Sequence, residues 1–132
     1  MRITTVTGCY DQLHAGHTFL LGVAYQTGGF IICGINSDKY IREHKGREPF
    51  RNEQERKDDL MATGIVSAVH VFEENDPREF LKAIRPHTHI IGEEYRDNCI
   101  EREVCEELNI NIVFVPRLPK WSSSNNEQNI YY

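Results

Sequence analysis

Short apolar runs separated by segments of helical spacing constrain this chain more than any other feature. The runs fall at Arg2–Thr7, Phe30–Ile35, Ala68–Phe72, Thr88–Ile91 and Ile110–Val115. Phe30–Ile35 is apolar throughout, as expected of a strand covered on both faces. Between the runs, helical patterns are predicted over Gly16–Gln26, from Asn52, from Asp76, and over Ile100–Leu108. Alternation of this kind predicts an α/β fold: a Rossmann-like, open parallel sheet with helices on both faces. A length of 132 residues suits a single domain, 1–132, around one core.

Local signals punctuate that pattern. Gly28-Gly29 closes the first helix, and Asn36-Ser37-Asp38 caps a short one. Asn52-Glu53-Gln54-Glu55 carries a capping-box pattern, with Leu60 and Met61 read as the buried side of its helix. Asp76-Pro77-Arg78-Glu79 combines a cap, a proline at the first helical position and a glutamate three residues after the cap. Lys45–Arg51 is charged and aperiodic and reads as a mobile loop. The polar tail from Ser122 reads as one short helix.

Open parallel sheets bind ligands beyond the carboxyl ends of their strands. Here those ends are Gly8–Asp11, Asn36–Asp38, Gly92–Tyr95 and Pro116–Arg117, where glycine and polar residues concentrate. The formal net charge of -5 disfavours nucleic-acid binding through bulk charge, so an anion site must be local. Neither a signal-peptide layout nor a bilayer-length apolar run is present, so no membrane association is expected. Cys9, Cys33, Cys99 and Cys105 form no C-x-x-C pair, which suggests a reduced, cytoplasmic protein without structural disulfides.

The most informative of these ends is Gly8-Cys9-Tyr10-Asp11-Gln12-Leu13-His14-Ala15-Gly16-His17, where a strand becomes a helix. The first N–H groups of a helix lack internal partners and carry partial positive charge, which favours phosphate. Gly16 allows close backbone approach, and His14 and His17, three apart, can face one ligand. The plainer reading makes one histidine a helix cap and the other an exposed residue. Zinc held with Cys9 lacks the support of an H-E-x-x-H pattern, and the G-x-G-x-x-G dinucleotide fingerprint is absent.

These residues resemble the G-x-F-D-x-x-H-x-G-H signature of the cytidylyltransferase-like nucleotidyltransferases, with Tyr10 in place of phenylalanine. Arg117-Leu118-Pro119-Lys120-Trp121-Ser122-Ser123-Ser124 is similar to the family's R-T-E-G-I-S-T-T segment in its arginine and hydroxyl run. Lys45-Gly46 with Glu55-Arg56 resembles the family's lysine loop and following arginine, while Arg47 and Arg51 read as a solvated charge run. Gly92-Glu93-Glu94-Tyr95 resembles the turn beside the nucleotide base. The order of segments from Asn36 to Pro77 looks most like the nucleotidyltransferase part of ADP-heptose synthases. It looks next most like glycerol-3-phosphate cytidylyltransferases.

The resemblance implies transfer of a nucleoside monophosphate from an NTP to a sugar phosphate of the heptose 1-phosphate type, with release of pyrophosphate. A CTP-using glycerol 3-phosphate enzyme and a non-catalytic nucleotide-binding module are the alternatives. It implies catalytic roles for His14, His17, Lys45 and Arg117. Nucleotide contacts fall on Gly8, Cys9, Tyr10, Gly16, Arg56, Gly92, Glu93, Glu94, Tyr95, Ser122, Ser123 and Ser124. Acceptor contacts fall on Asp11, Asn36, Asp38, Lys45 and Arg56. Mg2+ is expected with the NTP rather than on protein ligands, and a homodimer is expected.

Overall fold

A computed structural model describes residues 2–73 and 77–116. In chain order it comprises β1 (Ile3–Gly8), α1 (Ala15–Gln26), β2 (Phe30–Asn36), α2 (Asp38–Lys45), α3 (Glu53–Ala62) and β3 (Ala68–Phe72). There follow α4 (Arg78–Ile84), β4 (Thr88–Gly92), a 3-10 helix (Glu93–Asn98), α5 (Arg102–Glu107) and β5 (Asn111–Val115). The strands form one parallel sheet in the order β3-β2-β1-β4-β5. β1 is therefore central, with β2 and β4 on either side of it, and the chain reverses direction across the sheet there. That crevice is where an open α/β sheet places its ligand.

Strand alternation sorts the core onto the two faces. On one face Leu20, Leu21 and Ala24 of α1 and Leu60 of α3 pack on Val6, Ile31, Cys33, Ile35, Ile90 and Val115. On the other, Phe80 and Leu81 of α4 and Val104 and Cys105 of α5 pack with Phe72, Ile110, Ile32 and Ile112. Gly34 sits in β2 beneath the second layer. A Cβ there would lie 3.0 Å from Phe80 Cζ and 3.2 Å from Phe72 Cε1, so glycine lets the aromatic pair settle on the sheet.

Several boundaries shift from the sequence reading. Met61 points outward, because the buried side of α3 runs through Arg56 and Leu60. Within the expected Asn36-Ser37-Asp38 cap it is Ser37 that caps α2, accepting the Tyr40 N–H at 3.0 Å. The Asn52–Glu55 capping box is present as expected. Lys45 belongs to α2 instead of a loop, and Gly46 closes that helix in the left-handed conformation at φ 67. α4 begins at Arg78 after Pro77, while Asp76 lies outside the described residues. The expected tail helix from Ser122 also lies outside them.

Candidate active site

The Gly8–His17 segment leaves the end of central β1 and enters α1. Tyr10 takes a left-handed backbone conformation at φ 50, uncommon for a residue with a side chain. Its ring is buried 4.8 Å from the His17 ring, and its hydroxyl reaches the Cys33 thiol below. An aromatic residue here thus props His17 from beneath. His14 is the N-cap of α1, its Nδ1 accepting the Gly16 N–H at 3.1 Å. That bond assigns the proton of a neutral His14 to Nε2, leaving an N–H donor on the outward side of the ring.

The rings of His14 and His17 stack at 3.8 Å between centroids and 24° between planes. Burial lowers the pKa of His17 to about 3, with the neighbouring His14 adding to the shift and the Gln12 carbonyl opposing it. Burial lowers His14 as well. The pair is therefore neutral at physiological pH rather than doubly charged. His17 Nδ1 is buried without a hydrogen-bond partner of good geometry among the described residues.

Lys45 at the end of α2 and Arg47 just beyond it line the same cleft. The reading of Arg47 as solvated charge is corrected: it donates to Asp11 Oδ2 at 2.8 Å and covers the Phe50 ring at 4.5 Å. Asp11 also accepts the N–H groups of Phe50 at 3.0 Å and Arg51 at 2.8 Å. Burial alone would raise the Asp11 pKa, but these hydrogen bonds hold it below the usual carboxylate range. Asp11 borders the cleft, yet its carboxylate is committed to fastening segment 47–51 against the β1 loop. Arg51 turns away to a bidentate pair with Asp59 at 3.0 and 2.9 Å.

Arg56 requires a larger correction. Its side chain is 0% exposed and does not line the cleft. It donates to the carbonyls of Arg51 at 2.9 Å, Cys9 at 2.9 Å and Asn36 at 2.7 Å, and to Asp38 Oδ1 at 2.7 Å. The residue read as a phosphate ligand is instead a clamp joining the β1 loop, the end of β2 and α3. Asp38, its partner, is likewise absent from the cleft wall. Gly16 is buried and its N–H is spent on His14, and Glu93 and Glu94 lie on the exposed side of the 3-10 helix, which replaces the expected turn. Gly8, Cys9, Tyr10, Asn36, Gly92 and Tyr95 do line the cleft. Cys9 Sγ donates to Asn36 Oδ1 at 3.4 Å, and burial pushes its thiol pKa up. Arg117, Ser122, Ser123 and Ser124 lie outside the described residues.

The cleft holds about 610 Å³, within the range of small-molecule sites. The sequence reading missed Tyr40, Phe50, Asn98 and Glu101 in its wall. Glu101 sits in a stretch whose only sequence signal is helical periodicity. It reaches the cleft because β4 lies beside β1 and Glu101 follows the 3-10 helix that continues from the end of β4. Among the described residues no three histidine, cysteine, aspartate or glutamate side chains gather as metal ligands. No helix among them is long and apolar enough to cross a membrane.

A five-stranded parallel sheet with a histidine pair at its crevice defines a nucleotidyltransferase-type α/β domain. The chain belongs to the cytidylyltransferase-like family, a class of nucleotidyltransferases, whose family model matches residues 5–129. It is 35% identical over 126 residues to the bifunctional protein HldE of Pelobacter propionicus, covering 94% of this chain and 26% of that protein. With the bifunctional protein HldE of Koribacter versatilis it shares 42% identity over 95 residues, 71% of this chain and 20% of that one. The chain thus spans between a fifth and about a quarter of the length of these curated relatives. In fold it is similar to a lipopolysaccharide core biosynthesis protein from Thermoplasma volcanium, with a TM-score of 0.70 at 22% identity. That match covers 92% of this chain and 99% of the other.

Proposed function

We propose that this chain transfers a nucleoside monophosphate from an NTP to a sugar phosphate of the heptose 1-phosphate type, releasing pyrophosphate. The observation that carries the reading is the stacked, neutral His14–His17 pair in a cleft also lined by Lys45 and Arg47. In such a reaction an acceptor phosphate oxygen attacks the α-phosphorus while the bond to pyrophosphate breaks. That oxygen is ionised at neutral pH, so no general base is needed, and catalysis rests on alignment and on stabilising charge.

His14 has an Nε2–H fixed in direction by its capping bond, suited to a transferring phosphate oxygen. Neutral rings also avoid the self-repulsion of two imidazolium ions at 3.8 Å. Lys45 supplies charge from a helix end, a firmer mount than a loop. Arg117 with Ser122, Ser123 and Ser124 is proposed to grip the β- and γ-phosphates. Mg2+ would lower the charge of the triphosphate. With Asp11 committed to Arg47 and two backbone N–H groups, its ligands would come mainly from phosphate oxygens and water. The relatives named HldE and the fold neighbour named for lipopolysaccharide core biosynthesis support a sugar-phosphate acceptor. A cytoplasmic homodimer belongs to the same reading, the dimer being checked by light scattering.

The test is pyrophosphate release with ATP, CTP and GTP against heptose 1-phosphate, glycerol 3-phosphate, phosphocholine, phosphoethanolamine and FMN. Turnover with heptose 1-phosphate is expected. Turnover confined to CTP with glycerol 3-phosphate would replace the acceptor, and nucleotide binding with no release across the panel would leave a binding module.

A further inference from the structure

The cleft has two chemically different ends. Asn36, Tyr40, Lys45 and Arg47 lie toward β2, whereas Tyr95, Asn98 and Glu101 follow β4. Because β2 and β4 flank β1 on opposite sides, the basic and acidic ends lie on opposite sides of the histidine loop. A carboxylate repels phosphate, so Glu101 must face a part of the ligand that carries none.

The partners of Glu101 set it apart from Asp11 in the cleft wall and from Asp38 behind it. Asp11 accepts three hydrogen bonds of 2.8 to 3.0 Å, and Asp38 accepts one of 2.7 Å from Arg56. The Glu101 side chain is only 12% exposed, yet its described contacts are long: His89 Nε2 lies 3.7 Å from Oε2, and Cys99 Sγ lies 3.9 Å from Oε1. Neither is a charge-assisted hydrogen bond of ordinary length, so among the described residues its acceptor capacity is largely unspent. Its position is nonetheless fixed. The Glu101 carbonyl accepts the Cys105 N–H at 2.9 Å at the start of α5. Behind it His89 is fully buried, with Nδ1 2.7 Å from Thr5 Oγ1 and Nε2 lacking any hydrogen-bond partner among the described residues. If the Thr5 hydroxyl donates to Nδ1, the ring carries its proton on Nε2 and turns it toward Glu101.

We propose that Glu101, positioned by His89 and Thr5, recognises sugar hydroxyl groups of the bound substrate. Neutral O–H donors suit a partly buried carboxylate beside a phosphate site, because they satisfy it without competing for the basic end. The hydroxyls come either from the ribose of the nucleotide or from the polyol of the acceptor. This inference rests on the nucleotidyl-transfer reading above.

The experiment is calorimetric binding to the wild type, Glu101→Gln and His89→Gln, run alongside pyrophosphate release. One arm compares ATP and CTP with their 2′- and 3′-deoxy forms, and the other compares heptose 1-phosphate with its deoxy analogues. Glu101→Gln is expected to weaken the hydroxylated ligand of one arm by roughly 10- to 100-fold, the loss of one charge-assisted hydrogen bond. Affinity for the matching deoxy ligand should stay within about twofold, since that ligand never made the bond. The affected arm identifies the sugar. His89→Gln should reduce the same discrimination without moving the affinity for the deoxy ligand, which a merely structural role would lower equally. Equal wild-type affinity for hydroxylated and deoxy ligands in both arms overturns the inference, and this needs no variant to fold. Selective loss of phosphoethanolamine binding in Glu101→Gln also overturns it, in favour of a cation site. Discrimination in binding without pyrophosphate release would sink the transfer reading and keep Glu101 in its role. Failure of the wild type to bind any of these ligands overturns both.

Discussion

Replacing Arg56 by alanine separates a clamp from a substrate ligand. The guanidinium makes four hydrogen bonds of 2.7 to 2.9 Å to three carbonyls and one carboxylate. Its removal orphans the Asn36 carbonyl in a buried bond and leaves the Cys9 and Arg51 carbonyls and Asp38 to whatever water can reach them. Each stranded acceptor costs about 1–3 kcal/mol when water is excluded, and removing one partner of a buried ion pair costs about 3–5 kcal/mol. Asp38 remains 19% exposed, so its share is discounted for solvent. A total of about 3–5 kcal/mol results, a large part of the roughly 5–15 kcal/mol that holds a domain folded. For a domain of this size that lowers the thermal midpoint by on the order of 10–20 °C.

The assay is urea and thermal unfolding of wild type, Arg56→Ala and Arg56→Lys, paired with steady-state kinetics. Lysine keeps the charge near Asp38 but cannot reach diverging carbonyls, so it should recover roughly half of the loss. Stability within about 1 kcal/mol of wild type, together with a rise in KM for one substrate only, would refute the clamp and restore Arg56 as a ligand.

Other expectations follow from the same geometry. His17→Ala should lower turnover by about two to three orders of magnitude while leaving the far-ultraviolet circular dichroism intact; near-normal turnover would remove His17 from the reaction. His17 titrates at about 3 when folded against about 6.5 when unfolded. The unfolded chain therefore binds the extra proton, and stability should fall as pH drops below the unfolded value, by about 2 kcal/mol at pH 5 relative to pH 8. His17→Phe should flatten that slope in pH-dependent urea melts. Gly34→Ala presses a methyl group against Phe80 and Phe72 and should cost about 1–3 kcal/mol by the same melts. Asp11→Asn loses the Arg47 ion pair and should loosen segment 47–51, read as faster proteolysis there with an unchanged global midpoint.

The fold was legible because its signals are local and periodic. Apolar runs placed every strand to within a residue or two, and the Asn52–Glu55 box set the start of α3. α5 was harder: its apolar spacing extends through Ile100 and Leu108, but hydrogen bonding confines the helix to Arg102–Glu107. The histidine pair was legible too, since its chemistry and its strand-to-helix position lie within ten residues. Arg56 resembles a ligand in the sequence because a charged residue near a basic segment gives no sign of its acceptors. Three of its four acceptors come from Cys9, Asn36 and Asp38, residues distant in sequence. Arg47 erred the other way, its partner Asp11 being 36 positions away.

The alternation of strands and helices, the position of His14 and His17 at a strand end, and the neighbourhood of Lys45 are written in the order of residues alone. Each depends on side-chain period or on caps spanning a few residues. Which charges are spent and which remain available is set by packing. Sheet order brings β2 and β4 to either side of β1, and with them Arg56 to a buried clamp and Glu101 to the cleft. Burial and partner distance set the chemistry of a charged group, and both are properties of the packed sheet rather than of the residue's neighbours in the chain.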